Sequence, residues 1–341
     1  MKQLLNTLYV MTQGSYLSLD HDTLKVEVDG NKNQMPLHHI GGIVCFGNVM
    51  MTPFLIHRCA EDGRSVVLLD RNGKFKARMV GSTRGNILLR QAQYDTLKDW
   101  TKSVPIARNI VAGKLRNSRY VLLRSARDSK DSECANGLRD AASIIGDALF
   151  ALEKADLDGV RGLEGESAHA YFGAFKHMVL KDPRNFALTY RNRRPPLDPM
   201  NALLSYLYSL LLHDCISALE GVGLDPQAGF LHAVRPGRPS LGLDLMEEFR
   251  SIIADRLALT LVNRGQLTIE DFVYKEGMAV YLDDSGRKTV AVAYQKRKQE
   301  ELQHPLFNEN VPVGLLPHVQ ARLLARHVRG DIEGYPPFIM S

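Results

Sequence analysis

A single histidine and a run of acids have the types and spacing for metal-assisted chemistry. His232 follows the turn-prone Gly229, and twelve residues later Asp244 opens an acidic cluster within Ser240-Leu-Gly-Leu-Asp-Leu-Met-Glu-Glu-Phe-Arg250. Asp244 and Glu247 are spaced i, i+3, and Asp244 and Glu248 i, i+4, so on a helix the three carboxylates fall within one arc. Pro236 and Pro239 keep the preceding loop out of helical geometry and set the helix start. Leu243, Leu245, Met246 and Phe249 supply its apolar sides. Carboxylates this close to apolar neighbours are costly without positive charge nearby. A divalent cation with a histidine co-ligand is one source of that charge. The competing explanation is an amphipathic helix with a solvated acidic face, its Glu248 near Arg250.

A third ligand would have to come from elsewhere in the chain. Glu164 lies between Gly162 and Gly165 at what reads as a helix beginning, where the helix dipole favours an acid. Glu166 is a competitor that would point elsewhere around the same helix. Two carboxylates and one imidazole make a hard, mostly oxygen donor set, suited to Mg²⁺ or Mn²⁺ rather than structural Zn²⁺. An ion held with open positions can bind a phosphoryl oxygen and activate a hydroxyl. Basic stripes offer a matching partner. Lys176, Lys181, Arg184, Arg191, Arg193 and Arg194 fall within nineteen residues, opposed only by Asp182. Lys296-Arg297-Lys298 is a second run, and Arg322, Arg326, His327 and Arg329 form a third. Such stripes suit a phosphate backbone, with ordinary solvated faces as the alternative.

The elements that must position these residues fall into two blocks. With 341 residues, the chain is too long for one ordinary core. An apolar fraction of 45% with 24% charged residues is that of a globular protein without membrane spans, and its net charge of +5 is only mildly basic. The N-terminus lacks a signal-peptide pattern, and four scattered cysteines suggest no disulfide framework, so a reducing, cytoplasmic setting is expected. Residues 1–81 alternate as short strands with Gly, Asn and Asp turns and read as a small β-sandwich. Residues 82–85, within Gly81-Ser-Thr-Arg-Gly85, read as a hinge. Residues 86–341 read as mainly helical, which makes the fold class α+β. Pro105 is expected to restart a helix, and Pro199 to open one over 200–220. A helix is expected to run unbroken over 245–263. Asp283-Asp-Ser-Gly286 is expected to turn one late β-hairpin between 279–282 and 289–293. The tail from Gly334 should be extended.

Gly162-Leu-Glu-Gly165, Gly229-Phe-Leu-His232 and the Ser240–Arg250 stretch resemble, in order, the three motifs of the CRISPR-associated adaptation integrase family, Cas-one. The resemblance covers essentially the whole chain, including the β-rich start, the hinge, Arg193-Arg-Pro-Pro-Leu-Asp-Pro-Met-Asn201 and the late hairpin. The Leu4-Leu-Asn-Thr-Leu-Tyr-Val10 and Ile43-Val-Cys-Phe-Gly47 segments are similar to the subtype I-C branch. The combined motif set is specific, although each piece alone is not. The resemblance implies metal ligands at Glu164, His232 and Glu247. Some members carry aspartate at the last of these positions. It makes Asp244 an auxiliary acid and leaves Glu248 as a surface acid.

The implied activity is that of a metal-dependent DNA endonuclease and integrase. It joins the 3′-hydroxyl ends of a short foreign duplex, the spacer precursor, to a CRISPR repeat by transesterification. The implied partners are a second copy through the β-rich domain, double-stranded DNA, a small Cas-two protein and a Cas-four nuclease. Arg193, Arg194, Arg235, Arg238 and Arg250 are candidates for phosphate contacts, and Asn201 is a candidate to face the site. Two alternatives from other classes stay open: a non-catalytic DNA-binding scaffold of an adaptation complex, and a small-molecule metallohydrolase, which would leave the basic stripes without a purpose.

Overall fold

The computed structural model describes residues 6–71, 73, 75–79, 81, 87–188, 190–192 and 195–340, so the expected hinge at 82–85 lies outside the described residues. Side-chain alternation builds the N-terminal part. Its elements are β1 (Asn6–Val10), β2 (Ser15–Asp20), β3 (Thr23–Val28), β4 (Asn31–Pro36), β5 (Ile40–Phe46), β6 (Val49–Met51), α1 (Pro53–Glu61), β7 (Ser65–Leu69) and β8 (Phe75–Met79). They form two four-stranded sheets, ordered β4-β3-β2-β6 and β1-β5-β7-β8. In the second sheet β1 and β7 both run parallel to β5, and β8 closes it antiparallel to β7. Val10, Ile43, Cys45 and Val66 face the other sheet and α1, meeting Leu17, Leu24 and Leu55. Their neighbours Val44, Phe46 and Val67 face the opposite way and join the core of the helical part. That sheet is therefore buried on both faces, which is why β5 reads as an unbroken apolar run.

The helical part contains α2 (Ile87–Lys98), α3 (Trp100–Asp128), α4 (Ser132–Leu152), α5 (Leu157–Ala174), α6 (Pro183–Phe186), α7 (Pro199–Val222), α8 (Ser240–Glu247) and α9 (Arg256–Asn263). The short strands β9 (Phe272–Tyr274) and β10 (Val280–Leu282) follow, then α10 (Asp284–Gln299), β11 (Glu301–His304), β12 (Glu309–Pro312) and α11 (Leu316–Val328). Aspartates start many of these helices. Asp99, Asp131, Asp156, Asp198 and Asp283 each accept a backbone N–H in the first turn of α3, α4, α5, α7 and α10. Each such cap is worth about 1 kcal/mol. Pro199 opens α7 as expected. This helix is long and apolar enough to cross a membrane, but 67% of its most apolar window is buried inside the protein.

Several expectations are corrected. Helix α3 runs through Pro105 without restarting. The carbonyl that loses its partner is that of Thr101, and both residues are exposed, so water can serve it. Helix α5 starts at Leu157, which puts Glu164 in its middle rather than at its beginning. The expected helix over 245–263 is broken. α8 ends at Glu247, and a π-helical segment, Arg250–Asp255, leads into α9. Asp283 turns no hairpin. It caps α10, where Val290, Ala291, Tyr294 and Lys298 are buried at helical spacing. The late hairpins are instead β9 with β10 and β11 with β12. The Lys296–Lys298 run is partly committed inward, since Lys298 is buried and pairs with Asp214 at 3.0 Å.

Glu248 is not a surface acid: it is fully buried. It holds the C-terminal tail, accepting hydrogen bonds from Phe338 N (2.7 Å), Gln320 Nε2 (3.1 Å) and the Tyr335 hydroxyl. The tail crosses α3, where Asn117 donates to Phe338 O at 2.9 Å and accepts from Met340 N at 2.7 Å. Gly113 is required at this crossing, since a Cβ there would come within 2.8 Å of Pro337. Burial pushes the Glu248 pKa up to about 7. A raised carboxyl pKa contributes stability that is complete below the unfolded value, near 4.3, and lost as pH rises through the folded value. Glu248 alone should therefore weaken the fold by about 3 kcal/mol between pH 4 and pH 8. Glu248→Gln should flatten that part of the slope, read from urea midpoints at pH 5, 6, 7 and 8. Parallel slopes for the two proteins would count against this account.

Candidate active site

Asp244 organises the loop that carries the histidine. Its side chain is fully buried and accepts four hydrogen bonds. Oδ2 receives Phe230 N (2.6 Å) and Leu231 N (3.0 Å), and Oδ1 receives His232 N (2.9 Å) and His232 Nδ1 (2.7 Å). A carboxylate partner assigns the imidazole proton to Nδ1 and leaves the Nε2 lone pair available. Gly229 lets the loop lie against the start of α8, because a Cβ there would fall 2.6 Å from the Ser240 carbonyl carbon. The loop is also tied to α5, where Arg161 Nε donates to Leu231 O at 2.9 Å. Arg161 lies one turn before Glu164, so the same bond sets the helix that presents that acid.

Glu247 is the electrostatic centre. It is 2% exposed and lies between two cations. Arg250 Nη1 is 2.6 Å from Oε1, and the Lys114 ammonium of α3 is 2.7 Å from Oε2. Lys114 also pairs with Glu164 Oε1, so one lysine bridges acids from α5 and α8. Burial by itself would raise the Glu247 pKa, but the adjacent Arg250 and Lys114 charges outweigh it and hold the carboxyl down to about 2. Arg250 is fixed from behind. Its guanidinium stacks 4.4 Å over the Tyr208 ring, with Arg191 5.2 Å over the same ring. Tyr208 donates to Asp255 Oδ1 at 2.6 Å, and burial raises the Asp255 pKa to about 6. The π-helical segment carries both Arg250 and Asp255, and such segments recur at functional sites. Beside Glu164 a cleft of about 380 Å³ opens, lined among others by Lys114, Arg191, Arg250, His169 and Tyr190.

The donor set suits a hard divalent cation: two carboxylates and an imidazole with a directed Nε2. Glu247 Oε2 supports the fit, since it is buried and its partner is a cation, the Lys114 ammonium at 2.7 Å. As arranged, no three His, Cys, Asp or Glu side chains among the described residues stand close enough to hold an ion. The Lys114 ammonium bridges Glu164 and Glu247 instead.

A family model described as CRISPR associated protein Cas1 matches residues 8–296. The chain belongs to the Cas1 family. It is 57% identical over 338 residues to "CRISPR-associated endonuclease Cas1 1" of Moorella thermoacetica, with 98% of each chain covered. It is 49% identical over 341 residues to the Chlorobaculum tepidum protein of the same name, covering 99% of each. A "CRISPR-associated exonuclease Cas4/endonuclease Cas1 fusion" of Geobacter sulfurreducens is 36% identical over 337 residues, covering 97% of this chain and 60% of the fusion. Among solved structures, "Casposase bound to integration product" superposes with a TM-score of 0.84 at 23% identity, covering 97% and 93% of the two chains. A chain of "Cas6-RT-Cas1--Cas2 complex" superposes at 0.82 with 22% identity, covering all of this chain and 36% of that one. At these identities the two structures establish the Cas1 fold alone.

Within this Cas1 chain the acids named from sequence meet, but not on one exposed arc. Asp244 turns to the His232 loop, Glu247 to α3 and Arg250, and Glu248 to the tail. The solvated acidic face is thereby excluded, since all three are buried. Arg250 pairs with Glu247, Arg235 is exposed and Arg238 half-buried. Arg193 and Arg194 lie outside the described residues. Asn201 is buried and holds the preceding loop, donating to Tyr190 O (3.0 Å) and accepting from Asn192 N (3.1 Å). Lys114, Tyr208 and Asp255 went unmarked in sequence. Lys114 lies in an Arg-rich amphipathic helix where nothing local sets it apart, and Tyr208 reads as ordinary core. Asp255 is an isolated acid in an apolar run, a signal that does mark a buried partner. Asp244→Ala would strand the buried N–H groups of Phe230 and Leu231 and should cost about 3 kcal/mol. Chemical denaturation measures it, and a loss below about 1 kcal/mol would contradict the loop's dependence on this acid.

Proposed function

We propose that this chain is a divalent-metal-dependent DNA endonuclease and integrase that joins short duplexes to a CRISPR repeat by transesterification. Glu164, His232 and Glu247 are the proposed holders of Mg²⁺ or Mn²⁺. One observation carries the reading: Glu164 and Glu247, from separate helices, converge on Lys114 at a cation-lined cleft, while Asp244, three residues before Glu247, fixes the His232 imidazole. The endonuclease names of the three sequence relatives above support the reaction class. The bound ion would act as a Lewis acid toward a phosphodiester. The chain's own part is to present the ligands and hold the DNA. Asp244 keeps His232 Nε2 available, and Arg250, stacked on Tyr208, holds Glu247 ionised. Lys114, Arg191 and Arg250 face the cleft and offer charge to phosphate oxygens. Gly162 and Gly165 leave the flank of α5 bare, since a Cβ at either would meet nothing within 4 Å. A bare helix flank lets a polymer backbone come close to Glu164.

The proposed assembly is a homodimer through the β-rich domain, working with a Cas-two protein and a Cas-four nuclease. The complex and the fusion named above support those partners. Glu164→Ala, His232→Ala and Glu247→Ala should each lower Mn²⁺-dependent nicking and joining of DNA by about a hundredfold or more. Duplex affinity should change by no more than about threefold, because phosphate contacts elsewhere dominate it. Near-normal joining by any two of these variants would sink the ligand assignment. Salt-sensitive binding with no nicking by the wild type would favour the scaffold alternative.

A further inference from the structure

We infer that Lys114 is a built-in counter-cation that competes with the divalent ion for Glu164 and Glu247, so that the ion binds tightly only together with a DNA phosphate. The inference rests on the metal site proposed above. Glu164 and Glu247 contribute two negative charges, and Lys114 and Arg250, in direct contact, contribute two positive ones. Asp255 and Arg191, the next groups out on either side of Tyr208, add one of each sign. Asp244 faces three backbone N–H groups and the His232 ring rather than this set. The set is neutral before any metal arrives. It is also poorly hydrated around Glu247, with Glu247 3%, Lys114 11% and Arg250 19% exposed at the side chain, while Glu164 at 28% opens to the cleft.

Adding a dication to a neutral, dehydrated set leaves two uncompensated charges at short range, which a low-dielectric site opposes strongly. Relief can come from removing a cation or adding an anion. Arg250 is held in place by Tyr208 and its own burial. Lys114 is the movable member. Its Cα is fixed in α3 between Gly113, under the tail, and Leu115 in the core, but its four-carbon stem lets the ammonium swing. The same cleft that meets Glu164 is lined by Lys114, so the displaced ammonium and an entering phosphodiester share one space. A phosphate there restores charge balance and gives Lys114 a new partner. Metal and DNA then bind cooperatively, and the coupling is reciprocal.

Isothermal titration of Mn²⁺ into the full chain tests this, with and without a saturating short blunt duplex and with a duplex-only blank subtracted. Without DNA, Lys114→Met should bind Mn²⁺ about tenfold or more tighter than wild type, whereas Lys114→Arg should stay close to it. Lys114→Gln serves the same purpose if the methionine variant misfolds, with near-ultraviolet circular dichroism as the check. The duplex should tighten Mn²⁺ binding to wild type by about fivefold or more, and to Lys114→Met by clearly less. Equal affinities for wild type and Lys114→Met, with Glu247→Gln weakening both, would overturn the competition while leaving the metal site standing. No tightening of the wild type by duplex would overturn the coupling. If Glu247→Gln changes Mn²⁺ binding in neither background, the metal site itself is wrong and this inference falls with it.

Discussion

A carboxylate buried in a protein must be given a partner, and this chain buries three of them within five residues. Asp244, Glu247 and Glu248 lie along one short helix and its C-cap and cannot share one counter-charge. Each recruits a different piece of the molecule. The first draws in the His232 loop through backbone amides, the second draws in α3 and Arg250, and the third draws in the C-terminal tail. Segments far apart in sequence are thus brought to one helix by the cost of leaving charge unpaired, which exceeds the worth of a typical surface ion pair several-fold. Apolar packing gives the helices their places. The acids give them their rotation and register.

The long helix α3 collects most of these demands. Asn109, Gly113, Lys114 and Asn117 take up, in order, the tail at Tyr335, the tail at Pro337, the two acids, and both Glu248 O and Phe338 O. Spacings of four, one and three residues keep them on neighbouring stripes of one helix face. The arrangement ties the end of the chain to the same side of α3 as the candidate site.

The layout of the fold was legible from residues alone, because side-chain periodicity differs between strands and helices. The strand-rich start followed by a mainly helical part could be read from the change in apolar period near residue 81, and the acids and histidine of the candidate site stood out by type, spacing and family resemblance. What escaped was decided by tertiary context. Asp283-Asp-Ser-Gly286 is turn chemistry and cap chemistry at once, and only the burial of Val290 and Tyr294 decides for a helix. Glu248 looks like any acid flanking an arginine until a tail ninety residues later folds over it. Lys114 carries no local mark, since its role comes from two acids on other helices.

The doubly buried sheet has a consequence of another kind. Along β5, Ile43 and Cys45 belong to one core while Val44 and Phe46 belong to another. Phe46 reaches the Tyr206 ring of α7, with centroids 6.1 Å apart. Consecutive residues of a single strand thus answer to separate sets of neighbours. A slip of one position would exchange the two sets, so the register is fixed from both sides at once. Evolutionary drift on this strand divides the same way. A change of volume at Ile43 can be absorbed inside the sandwich without troubling α7, whereas one at Phe46 must be answered in the half of the molecule that holds the candidate site.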